Sequence, residues 1–388
     1  MNRNKYTACL LSLMSVCFNF FKTDAMERTK GDGNLCDSSN YDSYDYNSDN
    51  YDSDDCDSDE FDLSDCDDYS VSDGNIYWEL GKTKCKLNRD GYLEILENSS
   101  ELSSVIPREL KKYVKNVSIK GDNLKAIYGT FGECINLKSV SIPSSVEEIG
   151  DCAFLNCNEL KAISIPNVKT IGNLAFSGCT NLKTIGTLDS LTTIGEEAFE
   201  ACENLESVKF SGSLVSIGRS AFMNCKKLKS VDMGKATKIK KIENGTFFSC
   251  RALNSVILPN QIESIGTKCK EEIIDGVTHS EVITGAFAGC EGLNYIKLPT
   301  SLKEIGGGAF ARCKNLESIE LPGNVQTISD LAFDGCKSLT YVKIPASVQD
   351  FGDGVFRDCT SFSYIDNLSK IKISSSNTCN GCLNYPYR

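Results

Sequence analysis

Ten times between positions 131 and 359 the chain writes Phe, two residues, then Cys. The phenylalanines at 131, 154, 176, 199, 222, 247, 287, 310, 333 and 356 recur at intervals of 23, 22, 23, 23, 25, 40, 23, 23 and 23. A period near 23 held over ten copies means that each unit is one turn of chain whose apolar face can be covered only by the next unit. The chain is therefore expected to fold as a solenoid of about ten stacked 23-residue coils.

Within a unit the apolar positions fall in a fixed order. Leu137, Val140, Ile142-Pro143, Val146, Ile149-Gly150, Ala153-Phe154 and Cys157 share offsets with Leu316, Ile319, Leu321-Pro322, Val325, Ile328, Ala332-Phe333 and Cys336. The alternation through Val140 and Ile142 reads as a short strand. Pro143 ends it, because proline has no N–H for a ladder. The strands are expected to line one continuous sheet on one face of the stack. Gly150 and its counterparts Gly172, Gly195, Gly218, Gly266, Gly306 and Gly352 read as tight turns on the far side. The interval of 40 places a 17-residue insertion at residues 267–283.

The pattern Leu-x-x-Ile-x-Ile-Pro, then Val-x-x-Ile-Gly and Ala-Phe-x-x-Cys, resembles the BspA-like leucine-rich repeat family of secreted or surface proteins. Upstream, Ile76-Tyr77-Trp78-Glu79-Leu80 and Gly91-Tyr92-Leu93-Glu94-Ile95 are similar to the β-hairpin that caps such arrays at the N-terminus. The resemblance covers roughly residues 74–369. It implies a leucine-rich-repeat solenoid, adhesion to host or neighbouring-cell proteins or glycans, and no family catalytic residue to carry over.

Composition adds a compartment. Arg3 and Lys5 precede an uncharged run over residues 6–21 and then Thr23-Asp24-Ala25, which reads as a secretory signal over residues 1–25. The alternative, an uncleaved anchor, has a run shorter than the roughly 20 residues a spanning helix needs, interrupted by Asn19. No later segment reads as a membrane span, and the expected location is outside the cell or on its surface.

The formal net charge of −12 is unevenly placed. Residues 32–73 hold sixteen Asp or Glu and no Lys or Arg, whereas residues 74–388 are close to neutral. Residues 26–73 thus read as a disordered acidic spacer. Within it Asp52, Asp54, Asp55, Asp57 and Asp59 could hold Ca²⁺ weakly, although no glycine follows to make a calcium-loop turn. With this net charge and no basic patch apparent in the sequence, nucleic acid is disfavoured as a partner.

Of twenty cysteines, ten sit at the repeat position, where one per coil reads as a buried column of small apolar side chains. Cysteines outside that column are the expected disulfide formers in an oxidising compartment. Cys379-Asn-Gly-Cys382 reads as a terminal staple within a C-terminal tail, residues 370–388, rather than a zinc or redox site. Zinc wants about four ligands, and a thioredoxin-like pair wants a βαβ setting. His279, the only histidine, lies in the insertion, so neither a Ser-His-Asp nor a Cys-His arrangement is legible. No cofactor or catalytic residue is expected.

Binding is then expected on the outward residues of the strands in a solenoid spanning residues 117–369, behind a cap at 74–116. Small hydroxyl side chains dominate the first six coils. The last four carry Tyr295 and Lys297, Ser318 and Glu320, Tyr341 and Lys343, and Tyr364 and Asp366. Tyrosine gives large contact area with a polar tip, so this half is the candidate partner surface; stacking of the tyrosines upon one another is the alternative. Asn98, Asn116, Asn244 and Asn367 begin N-glycosylation sequons. Two other functions stay open: a cation- or mineral-associated protein working through the acidic segment, and an intracellular interaction scaffold.

Overall fold

The computed structural model describes residues 69–96, 99–267, 284–373 and 378–382, with the backbone of 272–274 and 277–279. The chain enters through four antiparallel strands, Ser70–Ser72, Asn75–Leu80, Thr83–Asn88 and Tyr92–Leu96. Period-2 alternation buries Ile76, Trp78 and Leu80, then Cys85 and Leu87, then Leu93 and Ile95. The expected hairpin is thus extended: Thr83–Asn88 lies between the two segments read from sequence, and Ser70–Ser72 falls within the stretch read as acidic spacer. Tyr92–Leu96 then pairs in parallel with Asn116–Lys120, and that strand with Ser139–Ser141. The first coil is nucleated on the cap's own hydrogen-bonding edge.

About eleven coils stack behind it. A column of two-residue strands runs from Glu101–Leu102 to Asp350–Phe351, one per coil and all parallel. It breaks once, between Ser216–Ile217 and Lys241–Ile242, where the coil carries two extra residues and the two strands do not pair. On the opposite column the sheet is segmented instead of continuous. Ladders join Ser139–Ser141 to the cap, Ser207–Lys209 to Ser230–Asp232 and Ser255–Ile257, and Tyr341–Ile344 to Tyr364–Asn367. A single bridge links Ala162 with Thr184, and Tyr295 and Ser318 lie outside any strand.

The uninterrupted ladder is at the Phe corner. In all ten coils the Phe N–H donates to the carbonyl of the residue just before the next phenylalanine position, at 2.8–3.0 Å. Neighbouring backbone conformation explains why this corner keeps its register. The residue two after each Phe position has φ between 54° and 82° in all eleven copies, including Glu133, Asn156, Ala201, Asn224, Ser249, Arg312 and Asp358. A left-handed residue there turns the peptide planes along the stack axis, so each coil donates to the next.

Inside that corner the ten phenylalanines form one column. Consecutive ring centroids lie 5.1–5.6 Å apart with interplanar angles of 3–17°. All ten rings are fully buried, each contributing about 2–3 kcal/mol of apolar transfer. Ile106 occupies the same slot below Phe131, its N–H donating to the Thr130 carbonyl, and Phe362 stacks on Phe356 at the far end. The insertion leaves the column intact: Phe247 and Phe287 stack at 5.2 Å across it, and Ser264 pairs with Glu304 as in any adjacent coils. The inserted chain doubles back as a small antiparallel ribbon, Glu272–Ile274 with Val277–His279.

The role read for the glycines changes. Of the seven singled out, only Gly266 has a positive φ, and the recurring left-handed position two after each Phe is filled by a non-glycine residue in seven of its eleven copies. What Gly172, Gly195, Gly218, Gly306 and Gly352 provide is room. A Cβ on any of them would lie 2.3–2.5 Å from backbone of the preceding coil. These are close approaches between coils rather than turns demanding glycine's dihedral freedom.

Candidate functional site

At the C-terminal end of the face, Tyr341–Ile344 and Tyr364–Asn367 pair in register, setting Tyr341 opposite Tyr364 and Lys343 opposite Asp366. Val342 and Ile344 point inward and are fully buried, so alternation holds the tyrosines out. The two rings stack at 5.8 Å and 7°, as the cross-strand alternative anticipated. They still leave 42% and 57% of their surface exposed. Lys343 Nζ lies 3.9 Å from Asp366 Oδ2. Partial desolvation and then the Asp366 carboxylate push the Tyr341 hydroxyl above its ordinary pKa, leaving a neutral donor at the rim.

Tyr295 is 45% exposed but separate from this pair, because the coil carrying Ser318 intervenes. Lys297 and Glu320 are exposed in the same region. The structure therefore brings together Tyr341, Lys343, Tyr364 and Asp366 as one patch and leaves Tyr295 a coil further off. Ile257, 52% exposed in its strand, is an outward apolar residue that the tyrosine-based reading passed over.

Among the described residues the cysteines are interior groups. From Cys157 to Cys359 each repeat Sγ donates to the Phe carbonyl of the preceding coil at 3.1–3.2 Å, and Cys382 donates to Phe356 O at 3.0 Å. Cys379-Asn-Gly-Cys382 is thus the eleventh copy of the repeat, with Cys379 in the slot that phenylalanine fills elsewhere. The count of 23 from Phe356 carries that signal in the sequence. Both thiols are buried and unbridged here. Their mutual hydrogen bond pushes the Cys379 thiol up and draws that of Cys382 down.

Burial pushes the Cys134 and Cys313 thiols to about 12, far from the thiolate that reactive cysteines need. The repeat cysteines are accordingly expected to resist a thiol-alkylating reagent at pH 8 in the native protein and to react after denaturation. Peptide mass mapping before and after unfolding checks this; rapid native labelling of Cys225 or Cys313 would contradict the buried column.

Other anticipated sites are placed as follows. Asn116 Oδ1 accepts from Ser139 Oγ at 2.7 Å on the face. Asn244 lies between coils, its Nδ2 donating to Thr267 Oγ1 at 3.1 Å while its Oδ1 accepts from Thr267 N at 2.9 Å. Asn367 is exposed, with Oδ1 accepting from Ser369 Oγ at 2.6 Å. Asn98 and the aspartates at 52, 54, 55, 57 and 59 lie outside the described residues. A shallow depression of about 80 Å³ beside Asn75, Lys86, Asn88, Tyr92 and Glu94 is well below the size of an ordinary small-molecule pocket. Among the described residues no group of His, Cys, Asp and Glu could hold a metal ion, and no helix is long and apolar enough to cross a membrane.

A stack whose thiols face inward and whose outward chemistry lies on a repetitive face belongs to the class of leucine-rich-repeat solenoids, a fold that typically serves as a binding scaffold. The profile of the BspA type Leucine rich repeat region (6 copies) matches residues 110–228, 169–273 and 280–385, and the chain belongs to that family. Similarity to several solved structures accompanies this match. A leucine-rich repeat protein from Bacteroides ovatus is 24% identical, covering 76% of this chain and 94% of its own, with a TM-score of 0.39. A leucine rich cell surface protein from Faecalibacterium prausnitzii is 24% identical over 80% of this chain and 99% of its own, at 0.39. The pneumococcal vaccine antigen PcpA is 22% identical over 81% and 85%, at 0.47. No curated protein matches the chain.

Proposed function

We propose that this protein is a secreted or cell-surface, adhesion-type binding protein that holds host or neighbouring-cell proteins or glycans on the exposed face of its solenoid. The observation that carries the reading is the pair Tyr341 and Tyr364, stacked at 5.8 Å yet about half exposed, with Lys343 and Asp366 beside them on two hydrogen-bonded strands. Aromatic rings prevented from moving by stacking lose little entropy on binding, and tyrosine is enriched among the residues that anchor interfaces. The family membership and the leader-like N-terminus support an extracellular setting.

The test is capture of partners from cell-surface extract by the full chain, followed by affinity measurement with Tyr341→Ala/Tyr364→Ala. Loss of about 2 kcal/mol or more is expected, the scale of interface anchors, with the thermal unfolding midpoint nearly unchanged because neither ring is in the core. Unchanged affinity in that variant, with binding abolished by deleting residues 32–73, would transfer the function to the acidic segment.

A further inference from the structure

The N-terminal half of the face has a charge arrangement unlike the rest of the molecule. Lys115, Lys138, Lys161 and Lys183 occupy one position in four consecutive coils. Backbone hydrogen bonds from Lys138 N to Lys115 O and from Lys183 N to Lys161 O show two of the steps directly. All four side chains are exposed, and among the described residues none of the four ammonium groups meets a carboxylate. Half-buried Glu159, two residues before Lys161, is the nearest acidic residue in sequence.

Elsewhere the stack alternates its charges. Glu147 bridges Lys125 and Lys169 at 3.4 and 2.6 Å, Glu263 bridges Lys240 and Lys303 at 3.3 and 2.8 Å, and Lys229 meets Glu206 at 3.7 Å in the coils that end the lysine row. Four like charges spaced by one coil, about 5 Å, repel one another, and the acidic residue that ends the row, Glu206, whose N–H donates to the Lys183 carbonyl, is engaged by Lys229 on its far side. A ligand that supplies negative charge at a similar repeat would relieve that repulsion. The surface beside the row carries small polar groups, Asn116, Ser139, Thr184 and Ser207, with Ser139 Oγ already donating to Asn116 Oδ1.

We propose that this lysine row with its hydroxyl floor is a second binding site, for a linear acidic polysaccharide bearing sulfate or carboxylate groups. The ammonium groups match a regularly charged extended chain, and the hydroxyl and amide groups match sugar hydroxyls. A nucleic acid fits less well: from Asn116 to Ser255 the outward strand residues include no aromatic ring on which an unpaired base could stack. The site is separate from the Tyr341–Tyr364 patch and does not depend on its function.

The test uses the full chain on immobilised heparin, neutral dextran and duplex DNA at an ionic strength of about 0.1 M, where exposed charges still act over about 10 Å. Binding to heparin, and not to dextran, is expected, and the affinity should fall about tenfold in Lys138→Ser/Lys161→Ser. Lys235→Ser/Lys238→Ser, which removes the same charge from exposed positions in a later coil, should stay within about twofold of the parent. Lys138→Arg/Lys161→Arg should retain binding, which separates loss of charge from damage to the fold. Absence of heparin binding, an equal fall in the two serine variants, or duplex DNA bound as tightly as heparin would each overturn the proposal.

Discussion

Phe222→Ala is expected to lower the free energy of unfolding by about 3–5 kcal/mol. The ring is fully buried, stacks on Phe199 at 5.1 Å and on Phe247 at 5.6 Å, and receives the edge of Phe210 at 6.2 Å. Truncation opens a cavity walled by those rings. None of them can move in to fill it without leaving its own partner, because each is pinned by a backbone hydrogen bond to the next coil. Denaturant unfolding of the full chain measures the effect. A change no larger than that of an exposed residue such as Lys235→Ala would mean that the phenylalanines do not form the column described.

Gly195→Ala is expected to cost about 3 kcal/mol or more, at the upper end of overpacking effects, although it adds a single methyl group and improves intrinsic strand propensity. Its Cβ would lie 2.5 Å from the Gly172 carbonyl carbon and 2.6 Å from Asn173 N. Both are backbone atoms whose retreat would separate two coils. The contrasting substitution is Ala201→Gly. Ala201 has φ 54°, where a side chain costs roughly 1–2 kcal/mol against the smaller entropic cost of glycine. That variant is expected to be neutral or more stable by up to about 1 kcal/mol. If both glycine–alanine exchanges instead followed helix or strand propensity, the inter-coil spacing described here would be wrong.

The Cys379–Cys382 pair shows how far repeat arithmetic reaches. Read as an isolated Cys-x-x-Cys it suggests a staple; counted 23 from Phe356 it is another coil with Phe replaced by Cys. The Cys382 thiol duly donates to the Phe356 carbonyl as its predecessors do to theirs. The lysine row is a case of the opposite kind. Its members lie 22 or 23 residues apart and form no run in the chain, so a scan for clustered basic residues sees near-neutral sequence. Stacking is what places them beside one another.

Period and residue type in the sequence alone determined the solenoid, its inward Leu, Ile, Phe and Cys positions, and the outward tyrosines, because a coil too small to hold a core must repeat whatever its neighbours need. Tertiary structure decided the rest. It segmented the face ladder while keeping the Phe-corner ladder whole, since at that corner a left-handed residue recurs in every copy to orient the peptides. It assigned the Ile-Gly glycines to close approach between coils. It joined Tyr341 to Tyr364 and left Tyr295 beyond Ser318, since partnership on this face is set by which coils are adjacent and in register, a property of the stack and not of any single repeat.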